Sequence, residues 1–110
     1  MRIWDIEPRY LCRKHLLGEH RELHAIWNII TLNKKGYSKH PETLRWYGKL
    51  KALYIIHKKL VKEMQKRGYH HSSDLRKELA KGSACQKVFV NTIEEQKNIL
   101  KNKKCGCLVK

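Results

Sequence analysis

Two carboxylates and a histidine line up at helical spacing in one stretch of this chain, His15-Leu-Leu-Gly-Glu-His-Arg-Glu-Leu-His24. Residues three, four and seven apart share a helix face, so His15, Gly18, Glu19 and Glu22 form one polar line, free to face a cleft. Cations crowd Glu22: Arg13, Lys14, His15, His20, Arg21 and His24. A lone acid in that company is ordinarily an ion-paired surface group. It gains a chemical role where a nucleophile reaches it, and the α-amine of Met1 is one. An α-amine has a reference pKa of about 7.7–8.0, far below that of a lysine side chain. Positive charge from Arg2 and Arg21 lowers it further and leaves free amine at neutral pH. Such an amine attacks a sugar carbon or a carbonyl and forms a Schiff base.

Other chemistries find less support. There is no Gly-rich phosphate loop, no G-x-S-x-G elbow and no H-E-x-x-H motif. His20-Arg-Glu22 fits the H-x-E half of a zinc deaminase, but the P-C-x-x-C half is missing. His20 and His24, one turn apart, form a potential metal pair, although surface histidines at this spacing are more often incidental. Cys105-Gly-Cys107 with His70 and His71 matches no common zinc spacing. No metal and no cofactor is therefore expected. Cys12, Cys85, Cys105 and Cys107 are expected to be free thiols in a reducing compartment.

Helices must position these groups. The segment Met1–Glu7 alternates polar and apolar residues and reads as an extended arm. Pro8 then suits the first position of a helix, because the N–H it lacks would be unpaired there anyway. The spacing predicts a first helix over 8–32, seated by Leu16, Leu23, Ile26, Trp27 and Ile30. Gly18 inside it costs about 1 kcal/mol relative to Ala, which a close approach by a ligand or another helix would explain. A polar loop over 33–41 leads to a second helix over 41–67, with Tyr47, Leu50, Tyr54, His57, Val61 and Met64 as its stripe and Gly68 as its left-handed stop. On that stripe His57 reads as a hydrogen-bonded core histidine. Ser73 or Asp74 is placed to cap a short helix over 75–81, ended by Gly82. Lys87–Val90 reads as a brief extended piece. Thr92-Ile-Glu-Glu95 has capping-box spacing and opens a last helix to about residue 103, and residues 103–110 read as a frayed tail. The expected fold is all-α: one compact domain over 1–110, a bundle of three to four helices with an extended N-terminal arm.

Composition limits the partners. The 110 residues include 25 Lys and Arg against ten Asp and Glu, for a net charge of +15. An excess of that size favours an anionic polymer, nucleic acid first. No apolar run reaches membrane-spanning length and no signal segment opens the chain, so a soluble intracellular protein is expected, with no membrane partner.

Met1-Arg-Ile3 at the start, His15-Leu-Leu-Gly-Glu-His-Arg-Glu-Leu23, and Lys66-Arg-Gly-Tyr69 closing a long helix together resemble the pyrimidine-dimer DNA glycosylase family, the phage endonuclease V type. The resemblance spans about residues 1–75 and is closest in the first thirty. It implies a compact helical fold in which the N-terminal amine displaces a damaged pyrimidine from its deoxyribose and a helix glutamate assists the strand cleavage that follows. Carried over, it implies Met1 as nucleophile and Glu22 as catalytic acid/base, with Arg2, His15 and Arg21 holding phosphate or sugar. Lys97 and Lys101, one turn apart, stand for basic residues of the family's last helix. The implied activity is a glycosylase and abasic-site lyase, working as a monomer on double-stranded DNA that contains pyrimidine dimers or abasic sites. Phage members expose a threonine amine after losing their methionine, whereas Arg2 should block removal of Met1, which then occupies the equivalent distance from Glu22. Ala25 replaces the family's arginine one turn beyond the glutamate, and the family's aromatic tail is absent. The alternative from another class is a non-catalytic basic helical module that binds DNA or RNA.

Overall fold

An arm without a strand beside it must find acceptors for its backbone N–H groups elsewhere, and that requirement organises this fold. The computed structural model describes residues 2–36, 38–69, 75–103 and 107. Residues 2–7 form an arm outside helix and strand, with a bend at Ile6, and Ile3, Trp4 and Ile6 are buried. Helices follow as α1 (Arg13–Thr31), α2 (Pro41–Leu44), α3 (Leu50–Lys66) and α4 (Ile93–Asn102), with 3-10 turns at Pro8–Tyr10 and Lys77–Leu79. The all-α class and the arm are as expected. Lys49 and Gly82 form an isolated β-bridge, and no strand occurs among the described residues.

The first helix is shorter than its periodicity predicts. Pro8 opens a 3-10 turn, after which Leu11 takes an extended conformation (φ −85°, ψ 141°) and buries its side chain to 2% exposure. Cys12 then caps α1. Core burial of Leu11 outweighs the local preference for continuing the helix. Along α1 the apolar stripe is as expected, with Leu16, Leu23, Ile26 and Trp27 buried, but Glu19 is buried among them at 2% exposure.

The second predicted helix is also divided. α2 ends after Leu44, because Arg45 and Trp46 turn inward and Gly48 adopts φ +75° before α3 begins. Tyr47, expected on the stripe, is left 44% exposed, while Trp46 is fully enclosed. Residues 81–83 then supply what the start of α3 lacks. Lys51 N–H donates to the Lys81 carbonyl (3.0 Å), Ala52 N–H to that of Ser83 (3.1 Å), and Ser83 N–H to that of Gly48 (2.9 Å). A helix start leaves such donors without intrahelical partners. Gly82 (φ +92°) lies so close to Gly48 that any Cβ would collide with the Gly48 carbonyl.

The predicted helix over 75–81 is reduced to the 3-10 turn, and its proposed caps Ser73 and Asp74 lie outside the described residues. Lys87–Val90 forms no strand, and Val88, Phe89 and Val90 are exposed. The capping box at Thr92 and Glu95 forms in full, as does the left-handed stop at Gly68 (φ +83°). Among the described residues no helix is long and apolar enough to cross a membrane. Of the expected tail, only Lys103 and Cys107 are described.

Candidate active site

Side-chain acceptors take the place of a neighbouring strand along the arm. Ile3 N–H donates to Glu42 Oε1 (3.2 Å), Trp4 N–H to Glu19 Oε1, and Asp5 N–H to Gln96 Oε1 (2.7 Å). Three elements, α1, α2 and α4, thus each hold one consecutive residue of the arm.

Arg45 closes this arrangement. Its guanidinium lies 2.6 Å from Glu42 Oε1 and 3.1 Å from Asp5, and it donates to the carbonyls of Ile3 (3.0 Å) and Val88 (2.8 Å). Glu42 Oε1 also accepts from the Trp46 indole at 3.3 Å. The Arg45 side chain is 2% exposed, so its charge is kept in the interior by two carboxylates and two carbonyls. Gln96 adds a bond from Nε2 to Asp5 Oδ2 at 3.0 Å.

Glu19 stands apart from that network. Burial pushes its carboxyl well above the usual carboxylate range, and its single bond from Trp4 N–H only partly offsets this. Its second oxygen is buried with no hydrogen-bond partner. The polar line of α1 therefore packs its middle member under the arm. Gly18, on the same face, has nothing within 4 Å of where a Cβ would be, so no helix packs there. A cleft of about 330 Å³ borders Glu19, between the arm at Trp4–Pro8, α3 at Ile55 and Lys59, and Phe89 and Ile93.

The residues predicted from sequence gather in part. Arg2 lies with its guanidinium 4.9 Å over the Trp4 ring and donates to Asn91 Oδ1 at 2.9 Å. His15 meets the same ring edge-on at 5.7 Å. Its pKa is lowered by partial burial and then by Lys103 and Lys14, which favours the neutral imidazole. Glu22, one turn beyond Glu19, is half-buried, and its carboxylate makes no hydrogen bond or ion pair with the described residues. Arg21 is exposed. On α4, Lys97 is half-buried and Lys101 exposed, beyond the Gln96 that grips Asp5. Met1 lies outside the described residues.

Sequence reasoning passed over Glu42, Arg45 and Gln96. Glu42, Arg45 and Trp46 stand at three- and four-residue spacing, a visible pattern, but a charged pair at that spacing usually faces water.

Among the described residues, two groups of side chains have the character of metal ligands. His24 Nε2 lies 3.2 Å from His20 Nε2 and 3.1 Å from His57 Nε2. His15 Nδ1 lies 3.2 Å from Cys12 Sγ and 3.3 Å from Cys107 Sγ. Cys107, set with His70 and His71 by sequence, thus meets Cys12 and His15; His70, His71 and Cys105 lie outside the described residues. Cys12 and Cys85 are free thiols.

Comparison with known families gives one match. The model of the family described as pyrimidine dimer DNA glycosylase covers residues 1–77, which include the arm, the α1 line, Glu42 and Arg45. No curated protein and no solved structure matches the chain.

Proposed function

From the premise that the chain belongs to the pyrimidine dimer DNA glycosylase family, we propose that it excises ultraviolet-type pyrimidine dimers from double-stranded DNA and cleaves the abasic strand through a Schiff base on the Met1 amine. The observation that carries this reading is the anchoring of the arm. Trp4, three residues after Met1, is hydrogen-bonded to Glu19 of the helix that also carries Glu22. Holding two reacting groups in register lowers the entropic part of a barrier.

In this mechanism the amine nitrogen bonds to C1′ of the damaged nucleotide while the C1′–N1 bond breaks and the pyrimidine leaves with the electron pair. Glu22 delivers a proton to the ring oxygen, C1′–O4′ opens, and the iminium forms. Removal of a C2′ proton then expels the 3′ phosphate by β-elimination, and water releases the enzyme from the imine. Glu22, half-buried and without an ion-pair partner among the described residues, is available for these transfers.

Arg2, Arg21 and His15 are assigned to phosphate and sugar, and Lys97 and Lys101 to the flanking backbone. A charge of +15 without a base-reading motif supports recognition of backbone and shape. Access to C1′ requires bending the duplex and unstacking a base, which costs least where damage has already weakened pairing.

Borohydride trapping tests the reading. The protein is incubated with abasic-site and thymine-dimer duplexes, reductant is added, and the crosslinked residue is mapped by mass spectrometry. An adduct on the Met1 amine with both duplexes is expected. An adduct with the abasic duplex alone removes the dimer assignment, and none with either, despite tight binding, leaves a basic binding module.

A further inference from the structure

We propose that His20, His24 and His57 form a site for one divalent transition-metal ion of the zinc class, which ties α1 to α3. His20 and His24 lie one turn apart on α1, and His57 comes from the middle of α3. The same ring nitrogen, Nε2, converges from all three: His24 Nε2 is 3.2 Å from that of His20 and 3.1 Å from that of His57. All three ligand atoms fall within 4.8 Å of one another. Zinc binds imidazole at about 2.0–2.1 Å in a tetrahedron, and adjacent nitrogens are then about 3.3 Å apart. The two separations from His24 Nε2, 3.2 and 3.1 Å, are close to that edge.

Ring orientations fit the same purpose. His20 stacks on His57 at an interplanar angle of 30°, and His24 stands edge-on to His57 at 83°. Three rings disposed in this way can direct in-plane lone pairs at one point. The donor chemistry narrows the ion: imidazole nitrogens suit zinc, copper and nickel, whereas calcium and magnesium require oxygen. His57 is 2% exposed, and Leu75 lines the hollows beside both His57 and His24. The three nitrogens supply three of the four corners of a tetrahedral site.

The ion would set the rotation of α1 against α3. Glu19, which accepts from the Trp4 N–H of the arm, lies one residue from His20, and Glu22 lies two, so such a clamp fixes the rotation of the helix that carries both. These histidines are positioning residues. The proposal does not rest on the glycosylase reading, and its test needs no DNA.

The full-length chain, without a histidine tag, is stripped with chelator, titrated with Zn²⁺ or Co²⁺, and analysed by elemental mass spectrometry and absorption. The Cys12–His15–Cys107 group is the competitor, and Cys107→Ser removes it. Wild type and Cys107→Ser are expected to bind one equivalent of zinc. His20→Ala and His24→Ala, both at half-buried positions, should lose at least ~100-fold in affinity, since even outer-shell changes cost 10–100-fold. Circular dichroism of the chelator-stripped forms checks that these variants fold. Bound Co²⁺ should show the visible bands of a tetrahedral ion without the near-ultraviolet charge transfer of a thiolate. A thiolate band, zinc lost in Cys107→Ser but kept in His24→Ala, or wild-type binding no tighter than that of the His20→Ala/His24→Ala double variant would each overturn the proposal.

Discussion

The backbone N–H of Trp4 donates to the carboxylate oxygen of Glu19, fifteen residues away, with both residues buried. The bond joins the arm to α1, yet it leaves the second oxygen of Glu19 without a partner. An ionised carboxylate in that setting is far more costly to bury than a protonated one.

Glu19→Gln should accordingly stabilise the protein at neutral pH. The folded-state pKa of Glu19 lies above its ordinary value of 4.5, so the folded protein holds this proton more tightly than the unfolded chain. The group carries no ionisation penalty below pH 4.5, and stability falls as pH rises from there toward the folded pKa. Urea denaturation in chelator-containing buffer should show wild type and Glu19→Gln alike at pH 4 and the variant more stable at pH 7.5.

Removing Arg45 should have the opposite sign. Arg45→Met leaves Glu42 and Asp5 facing each other without their cation, and loss of one partner from a buried pair costs about 3–5 kcal/mol. Because Arg45 also holds the Ile3 carbonyl, turnover on a thymine-dimer duplex should fall more than affinity for DNA. Equal losses in the two would detach the network from positioning the arm.

Two glycines should respond in opposite directions. Gly82→Ala drives a Cβ into the Gly48 carbonyl at a positive φ and should destabilise by more than about 2 kcal/mol. Gly18→Ala meets open space in mid-helix and should stabilise by about 0.5–1 kcal/mol. Thermal unfolding of the two variants measures both effects.

Glu22→Gln should lower turnover by roughly 10²–10⁴-fold, the usual scale of general acid–base catalysis, while binding to an abasic duplex persists. Acetylation of the Met1 amine should abolish trapping altogether. Single-turnover cleavage alongside a binding titration separates these outcomes from a simple loss of affinity.

Features set by neighbours in the chain were legible in the sequence: the capping box at Thr92 and Glu95, the stop at Gly68, the apolar stripe of α1 and the arm before Pro8. Each depends on residues within about two helical turns, and periodicity and turn chemistry act over that range. The resemblance over the first part of the chain likewise agrees with the family match over 1–77. Tertiary structure decided which charged groups go inside. Gln96 meets Asp5 across 91 residues and Arg45 meets the arm across about forty, and no local spacing encodes such pairs. The breaks at Leu11 and Gly48 have the same origin, since burying Leu11 and Trp46 outweighs the propensity to extend a helix by one more turn. His57, correctly read as a core histidine, acquired its neighbours His20 and His24 only when α3 packed against α1. Sequence alone therefore determined the helical class, the local caps and stops and the family, whereas where the helices break, which acids are buried and what holds the arm beside them followed from packing over long chain separations.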